Sequence, residues 1–136
     1  MGEYNKPLPN INGDSKEFWA GCKVHELRFQ RCKTCGHVRW PASFICPICY
    51  SREMQWIVAR GKGKVYSFVV YHVAYDPGFK NDLPYVVADV ELEEGPRLLT
   101  NIVGYRPDEV KCERPVEGTW EDVTAEFRLP KFKPYQ

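Results

Sequence analysis

Four of the six cysteines stand as two Cys-x-x-Cys pairs, Cys32 with Cys35 and Cys46 with Cys49, with ten residues between the pairs. Thiolates at this spacing converge on one metal ion. Each pair bends the chain tightly, and four sulfurs close a tetrahedron with no position left for water, which makes the site structural and not catalytic. Zinc is the expected occupant, with rubredoxin-like iron the rival that spacing alone leaves open. Gly36, directly after the first pair, supplies the positive φ that such a turn favours. His37 comes next and is expected to be exposed, because four sulfurs already satisfy the ion. Cys22 and Cys112 lack a partner of this kind and read as small buried hydrophobes, since no neighbouring signature favours a thiolate.

Other chemistry is sparse. The chain contains no Gly-x-Ser-x-Gly, no phosphate loop, no Gly-x-Gly-x-x-Gly and no His-Glu-x-x-His. His72 could be paired with Asp76 or Asp89, but strand periodicity puts it on a face with Phe68 and Val70, where it reads as a structural histidine beside a core. The residues therefore argue against a free-standing enzyme.

Length and composition limit the elements that can position the cysteines. With 136 residues, 43% hydrophobic and 27% charged, the chain is expected to form one globular domain, or a small β domain with an appendage. No apolar run approaches the ~20 residues that span a bilayer, and the opening segment lacks the order of a signal peptide. A cytoplasmic protein with no membrane partner is expected, and there paired cysteines favour metal over disulfides. Residues 1–64 hold 11 Lys and Arg against 5 Asp and Glu, a net +6, while residues 65–136 hold 8 against 13, a net −5. A nucleic-acid-binding barrel would carry the positive charge itself. Tyr66, Phe68, Tyr71 and Tyr85 could stack on bases, but their half is acidic, and no nucleic acid is expected as partner.

Residues 1–29 read as an arm and a helix, 30–60 as the metal module and 61–136 as a β domain. Asp14 or Ser15 can cap the helix with Glu17 reaching back, and Phe18, Trp19 and Cys22 share a face that packs on this chain or on another subunit. A strand through Leu27 and Phe29 leads into the first cysteine turn. After Gly61-Lys62-Gly63, strands are expected over 64–73, buried on much of both faces, then over 85–92, 97–103, 116–122 and 125–129. A helical turn falls at Pro107–Val110, and 129–134 reads as an extended tail. Five strands with a small helix between the third and fourth is the plan of an OB-fold barrel, so the expected class is mainly β: N-terminal helix, rubredoxin-like zinc ribbon and C-terminal five-stranded barrel.

Several blocks recur in register. They are Phe18-Trp19, the four ribbon cysteines, Gly61 and Gly63 with Val65 to Ser67, Pro84 to Leu92, Gly95 to Asn101, and Leu129 to Pro134. In this order they resemble the DUF35 family over nearly the whole chain, with the small subunits of benzoylsuccinyl-CoA-type thiolases as the nearest guess within it. Cys112-Glu113-Arg114 departs from the Ile-Gly-Met-like step usual before the fourth strand. The resemblance implies a non-catalytic subunit in a hetero-oligomer with a thiolase-fold partner, with acyl-CoA at or near the shared interface. The helix with Phe18 and Trp19, and the loop with Tyr75, Phe79 and Lys80, are the expected contacts. Arg28, Arg31, Lys33, Arg39, Lys62 and Lys64 could meet coenzyme A phosphates or form a solvated basic face. The rival functions are a nucleic-acid-binding ribbon and barrel, and an independent acyl-CoA carrier or hydratase.

Overall fold

The computed structural model describes residues 6–9, 11, 13–124 and 127–135. Helix α1, Lys16–Lys23, follows Ser15 at its N-cap and turns Phe18, Gly21 and Cys22 inward. The expected capping box does not form. Glu17 instead accepts a hydrogen bond from Arg28 Nη1 at 2.7 Å, a charge-assisted bond that outcompetes a neutral backbone donor.

Strand β1, Leu27–Cys32, lies at the centre of an antiparallel sheet between β2, Val38–Arg39, and β3, Met54–Ala59. Strand β3 had no counterpart among the expected strands, because Met54-Gln55-Trp56-Ile57-Val58-Ala59 lacks clean alternation and its burial is correspondingly mixed. Gly61, at φ +76°, then turns the chain into the barrel.

The barrel comprises β4, Lys62–Tyr71; β5, Tyr85–Leu92; β6, Arg97–Ile102; β7, Pro115–Asp122; and β8, Arg128–Pro134. It closes in the order β4-β5-β6-β8-β7, with β7 returning to β4, which is OB-fold connectivity. A register shift between Val65 and Ser67 helps β4 curl. At Gly63 a Cβ would stand 2.3 Å from the Glu91 carbonyl oxygen, so no other residue permits that approach. Strand β5 alternates cleanly, with Val86, Ala88, Val90 and Leu92 inward. They join Val65, Leu98, Ile102, Val116 and Phe132 in a core that continues without a break into Phe18, Cys22, Leu27, Phe29 and Ala59 of the helix and ribbon. At the seam the His25 ring stacks on Trp120 at 5.1 Å and 2°. Gly118 N donates to the Gly61 carbonyl at 2.6 Å.

Four expectations change. Ala125 and Glu126, part of the expected strand 125–129, lie outside the described residues, and the fifth strand is the segment read as a tail, Arg128–Pro134. Its prolines are tolerated because Pro130 and Pro134 share the parity of Phe132, whose carbonyl points toward β6 and away from the β7 ladder. Strand β4 is not buried on both faces, since Tyr66 and Val69 are exposed. It ends at Tyr71, and His72 lies beyond it, exposed where the chain leaves the barrel. Cys112 is exposed, in the loop that follows a short 3-10 turn at Pro107–Glu109.

Candidate metal centre and contact surface

The ribbon positions its cysteines with two turns of the same design. In the first, Cys32 N donates to the His37 carbonyl and Gly36 N to the Cys32 carbonyl, each at 2.9 Å. In the second, Cys46 N donates to the Ser51 carbonyl and Tyr50 N to the Cys46 carbonyl, again at 2.9 Å. The residue after each second cysteine has positive φ, +81° at Gly36 and +62° at Tyr50. Sequence reasoning found the first and missed the second, because tyrosine gives no local signal for that conformation. Thr34 Oγ1 donates to Ser51 Oγ at 2.9 Å and ties the turns together.

All four sulfurs lie within 4.8 Å of one another, with Cys32 to Cys49 and Cys35 to Cys46 both at 3.6 Å. Zinc–sulfur bonds of about 2.3 Å in a tetrahedron require sulfurs about 3.8 Å apart, so the donor set fits a zinc ion as it stands. The backbone N–H of Cys35, 3.4 Å from Cys32 Sγ, is the largest influence on that thiol. Burial acts the other way, but with the Thr34 N–H and the neighbouring thiols the net effect holds Cys32 down at about 6. Cys32, Cys35, Cys46 and Cys49 thus form a closed zinc site, in which the ion supplies a cross-link and no reactive position. His37 is half-buried, not exposed as expected, and contributes its carbonyl to the turn. Cys22 is buried as expected, and burial pushes its thiol up to about 12, which makes it inert at neutral pH.

The expected contact residues separate. Phe18 is 2% exposed and packs between Phe29 and Trp40, so it belongs to the core and leaves no surface for a partner. Trp19 is half-buried, edge-on to Phe127 at 5.9 Å. A 3-10 turn at Pro77–Asp82, begun by Asp76 Oδ1 accepting from Gly78 N at 2.8 Å, folds Phe79 back onto Tyr85, with ring centroids 5.1 Å apart. Lys80 is exposed. The loop's most exposed aromatic is Tyr75, at 82%, edge-on to Tyr71.

Tyr75 borders a surface that sequence reasoning did not assemble. On the outward parity of β4, β5 and β6, Tyr71 pairs with Tyr85, Val69 with Val87, and Asp89 with Leu99. Val69 is 54% and Leu99 70% exposed, on a mixed sheet face that Val87 and the polar Ser67, Asp89 and Asn101 complete. Below the loop, a cavity of about 390 Å³ is lined by Phe79, Tyr85, Ile102 and Tyr105, with the Lys6–Asp82 and Lys131–Glu121 ion pairs at its rim.

Of the cations considered for phosphates, Arg28 is held by Glu17 and Glu26, Lys64 by Glu113 at 2.7 Å, and Lys62 by the Tyr135 hydroxyl and ring. Arg39 is buried. Only Arg31 and Lys33 keep the exposed character of a solvated basic face. Among the described residues no helix is long and apolar enough to cross a membrane.

Two family profiles match the chain in tandem: "ChsH2, rubredoxin-like zinc ribbon domain" over residues 19–55 and "ChsH2, C-terminal OB-fold domain" over residues 56–121. A probable enoyl-CoA hydratase alpha subunit of Thermomonospora curvata is 41% identical over 95% of this chain, which spans 40% of that longer protein's length. The benzoylsuccinyl-CoA thiolase subunit BbsA of Thauera aromatica is 31% identical, covering 86% of this chain and 78% of its own. A solved Ltp2-ChsH2(DUF35) aldolase contains a chain with a TM-score of 0.85 and 41% identity, covering 93% of this chain and 98% of that one.

Proposed function

As this chain belongs to the DUF35 family of ChsH2-type zinc-ribbon and OB-fold proteins, we propose that it is the non-catalytic subunit of a thiolase-type, acyl-CoA-processing complex. The observation that carries the reading is the outer face of β4, β5 and β6, where Val69 and Leu99 stand exposed beside Asp89 and Asn101 and Tyr75 flanks them. A chain that buries a continuous core elsewhere has no reason of its own to present Val69, Leu99 and Tyr75 together, and a partner that covers them removes apolar area from water. The relatives' names support the class of partner, since they are subunits of a thiolase, a hydratase and an aldolase.

In this reading the zinc ribbon and α1 brace the barrel, and the barrel presents its outer face to the catalytic chain. Tyr75 and Lys80 touch that chain directly. Phe79 acts from beneath, holding the loop on Tyr85 and walling the cavity, which suits one segment of an acyl-CoA and not the whole coenzyme. Trp19, half-buried beside Phe127, marks the edge of the surface. The partner supplies the nucleophile, base and oxyanion donors of thiolase chemistry.

The test is co-purification of the untagged native protein, with mass spectrometry of whatever accompanies it. The reading requires a thiolase-fold chain whose acyl-CoA turnover falls when this subunit is removed. Thiolysis of an acyl-CoA by the isolated chain would overturn it.

A further inference from the structure

Gln30, on the central strand of the ribbon sheet, is 4% exposed, and its side-chain amide is held by one end only. Oε1 accepts from Arg39 Nε and from Ser43 N, each at 2.8 Å. Two donors at that atom make it the oxygen, so the other end of the amide is the nitrogen, Nε2. Nε2 meets no acceptor among the described residues. It is not enclosed either, since the enclosed side-chain atoms without a partner are Arg39 Nη1 and Glu94 Oε1. A guanidinium drawing on the amide oxygen polarises the group and makes its N–H bonds stronger donors. The fold thus fixes a strong and unused donor at a nearly buried position.

Gln30 lines a cavity of about 300 Å³ between the start of α1 and the ribbon sheet. Its backbone is flanked on one side by Arg39 and on the other by Trp56, so its side chain is what faces the cavity. The same register puts the Trp56 side chain on the face that carries Gln30. Phe44, next to Ser43 and 65% exposed, supplies a second aromatic wall. In the rest of the lining Lys16 and Asp14 offset one another in charge, and Glu17 is held by Arg28 at 2.7 Å, so nothing favours an ion over a neutral ligand. We propose that this cavity binds a neutral carbonyl group, whose oxygen accepts a hydrogen bond from Gln30 Nε2 while its flat apolar body lies against Phe44 and Trp56. A small ketone or amide from solution and a peptide carbonyl of a docked chain share this chemistry.

The test uses the zinc-loaded full chain, followed by ¹⁵N NMR of the Gln30 side-chain amide and of the Trp56 Nε1–H. Acetophenone is the probe, and benzene, the same ring without an oxygen, is the control. Saturable shifts of both signals are expected with acetophenone, while benzene leaves the Gln30 amide unshifted. Gln30→Glu keeps an acceptor for Arg39 but puts an oxygen where the donor stood, and is expected to weaken acetophenone by about tenfold or more, read at Trp56. Phe44→Ala, at an exposed position, is expected to weaken it by about threefold or more and decides the matter even where Gln30→Glu fails to fold. A blocked tripeptide, N-acetyl-Gly-Phe-Gly-amide, binding about tenfold tighter than acetophenone or better assigns the site to a peptide carbonyl, and any smaller gain assigns it to a small ketone or amide. Shifts that do not saturate, that benzene reproduces at the Gln30 amide, or that persist at full affinity in either variant would overturn the proposal.

Discussion

Between Cys32 and Glu53 the ribbon buries only Cys32, Arg39 and Cys46, whereas β5 alone buries Val86, Ala88, Val90 and Leu92. The ribbon turns are a length of chain with almost no apolar interior, organised by a metal and a few backbone hydrogen bonds. The barrel is organised by aliphatic packing on a closed sheet. The same chain therefore contains one region whose order can be removed with a chelator and one whose order can be removed only by changing its volume. Where the two meet, Phe18, Leu27 and Phe29 enter the barrel's core, so the ribbon's base is tied to packing while its tip depends on zinc.

The largest expected effect is loss of the ion. Structural zinc contributes on the order of 10 kcal/mol of apparent binding free energy in small domains. One zinc per chain is expected by elemental analysis, and Cys46→Ser is expected to release it. Amide exchange should then rise across residues 32–53 while the protection of β5 and β6 survives. A uniform loss of protection would mean that the ribbon and barrel are not separable in this way. Acid should act like the mutation, because each ligand must be a thiolate to bind, so zinc affinity falls as pH falls.

Next in size is the barrel's own interior. Phe132 is fully buried between β6 and β7, and Phe132→Ala is expected to cost about 3–5 kcal/mol by denaturant titration, with zinc content unchanged. A smaller effect belongs to the outer face. Leu99→Asp or Tyr75→Asp should weaken assembly with the catalytic chain by about 2 kcal/mol or more, while the isolated chain stays within about 0.5 kcal/mol of wild type. If the isolated chain loses stability and assembly survives, that face is not the contact.

The smallest effect sharpens the comparison inside the ribbon itself. Tyr50 adopts a φ of +62° where its counterpart in the first turn is Gly36. Tyr50→Gly is expected to be neutral or stabilising by up to about 1 kcal/mol, and Gly36→Ala destabilising by about 1 kcal/mol. Equal effects at the two positions would show that the turns are not equivalent.

Much of this was legible in the residues because the relevant signals are local. Cysteine spacing marks the zinc site, and alternation with Gly-Pro turns marks β5 and β6. What escaped depends on chain parity and distant neighbours. Pro130 and Pro134 disguised β8, because whether a proline harms a strand depends on which side its missing N–H would face. Phe18 looked available for a partner because nothing local shows that Phe29 and Trp40 close over it. Arg39 read as one basic residue among several, since its burial comes from Gln30 and Ser43, nine residues before it and four after. The outward row of Val69, Val87 and Asn101 exists only once three strands are in register.

The flat stack of His25 on Trp120 gives the protein a built-in optical gauge. The emission of an indole responds to what lies against it, and of the four tryptophans Trp120 is the one with a stacked histidine among the described residues. His25 comes from the corner between helix and ribbon, and Trp120 from the barrel wall. A change in the Trp120 emission therefore reports that the two surfaces have parted, because the indole then loses the ring that covers it. The seam can be watched without a label, in dilute solution, while zinc is stripped or a partner is added.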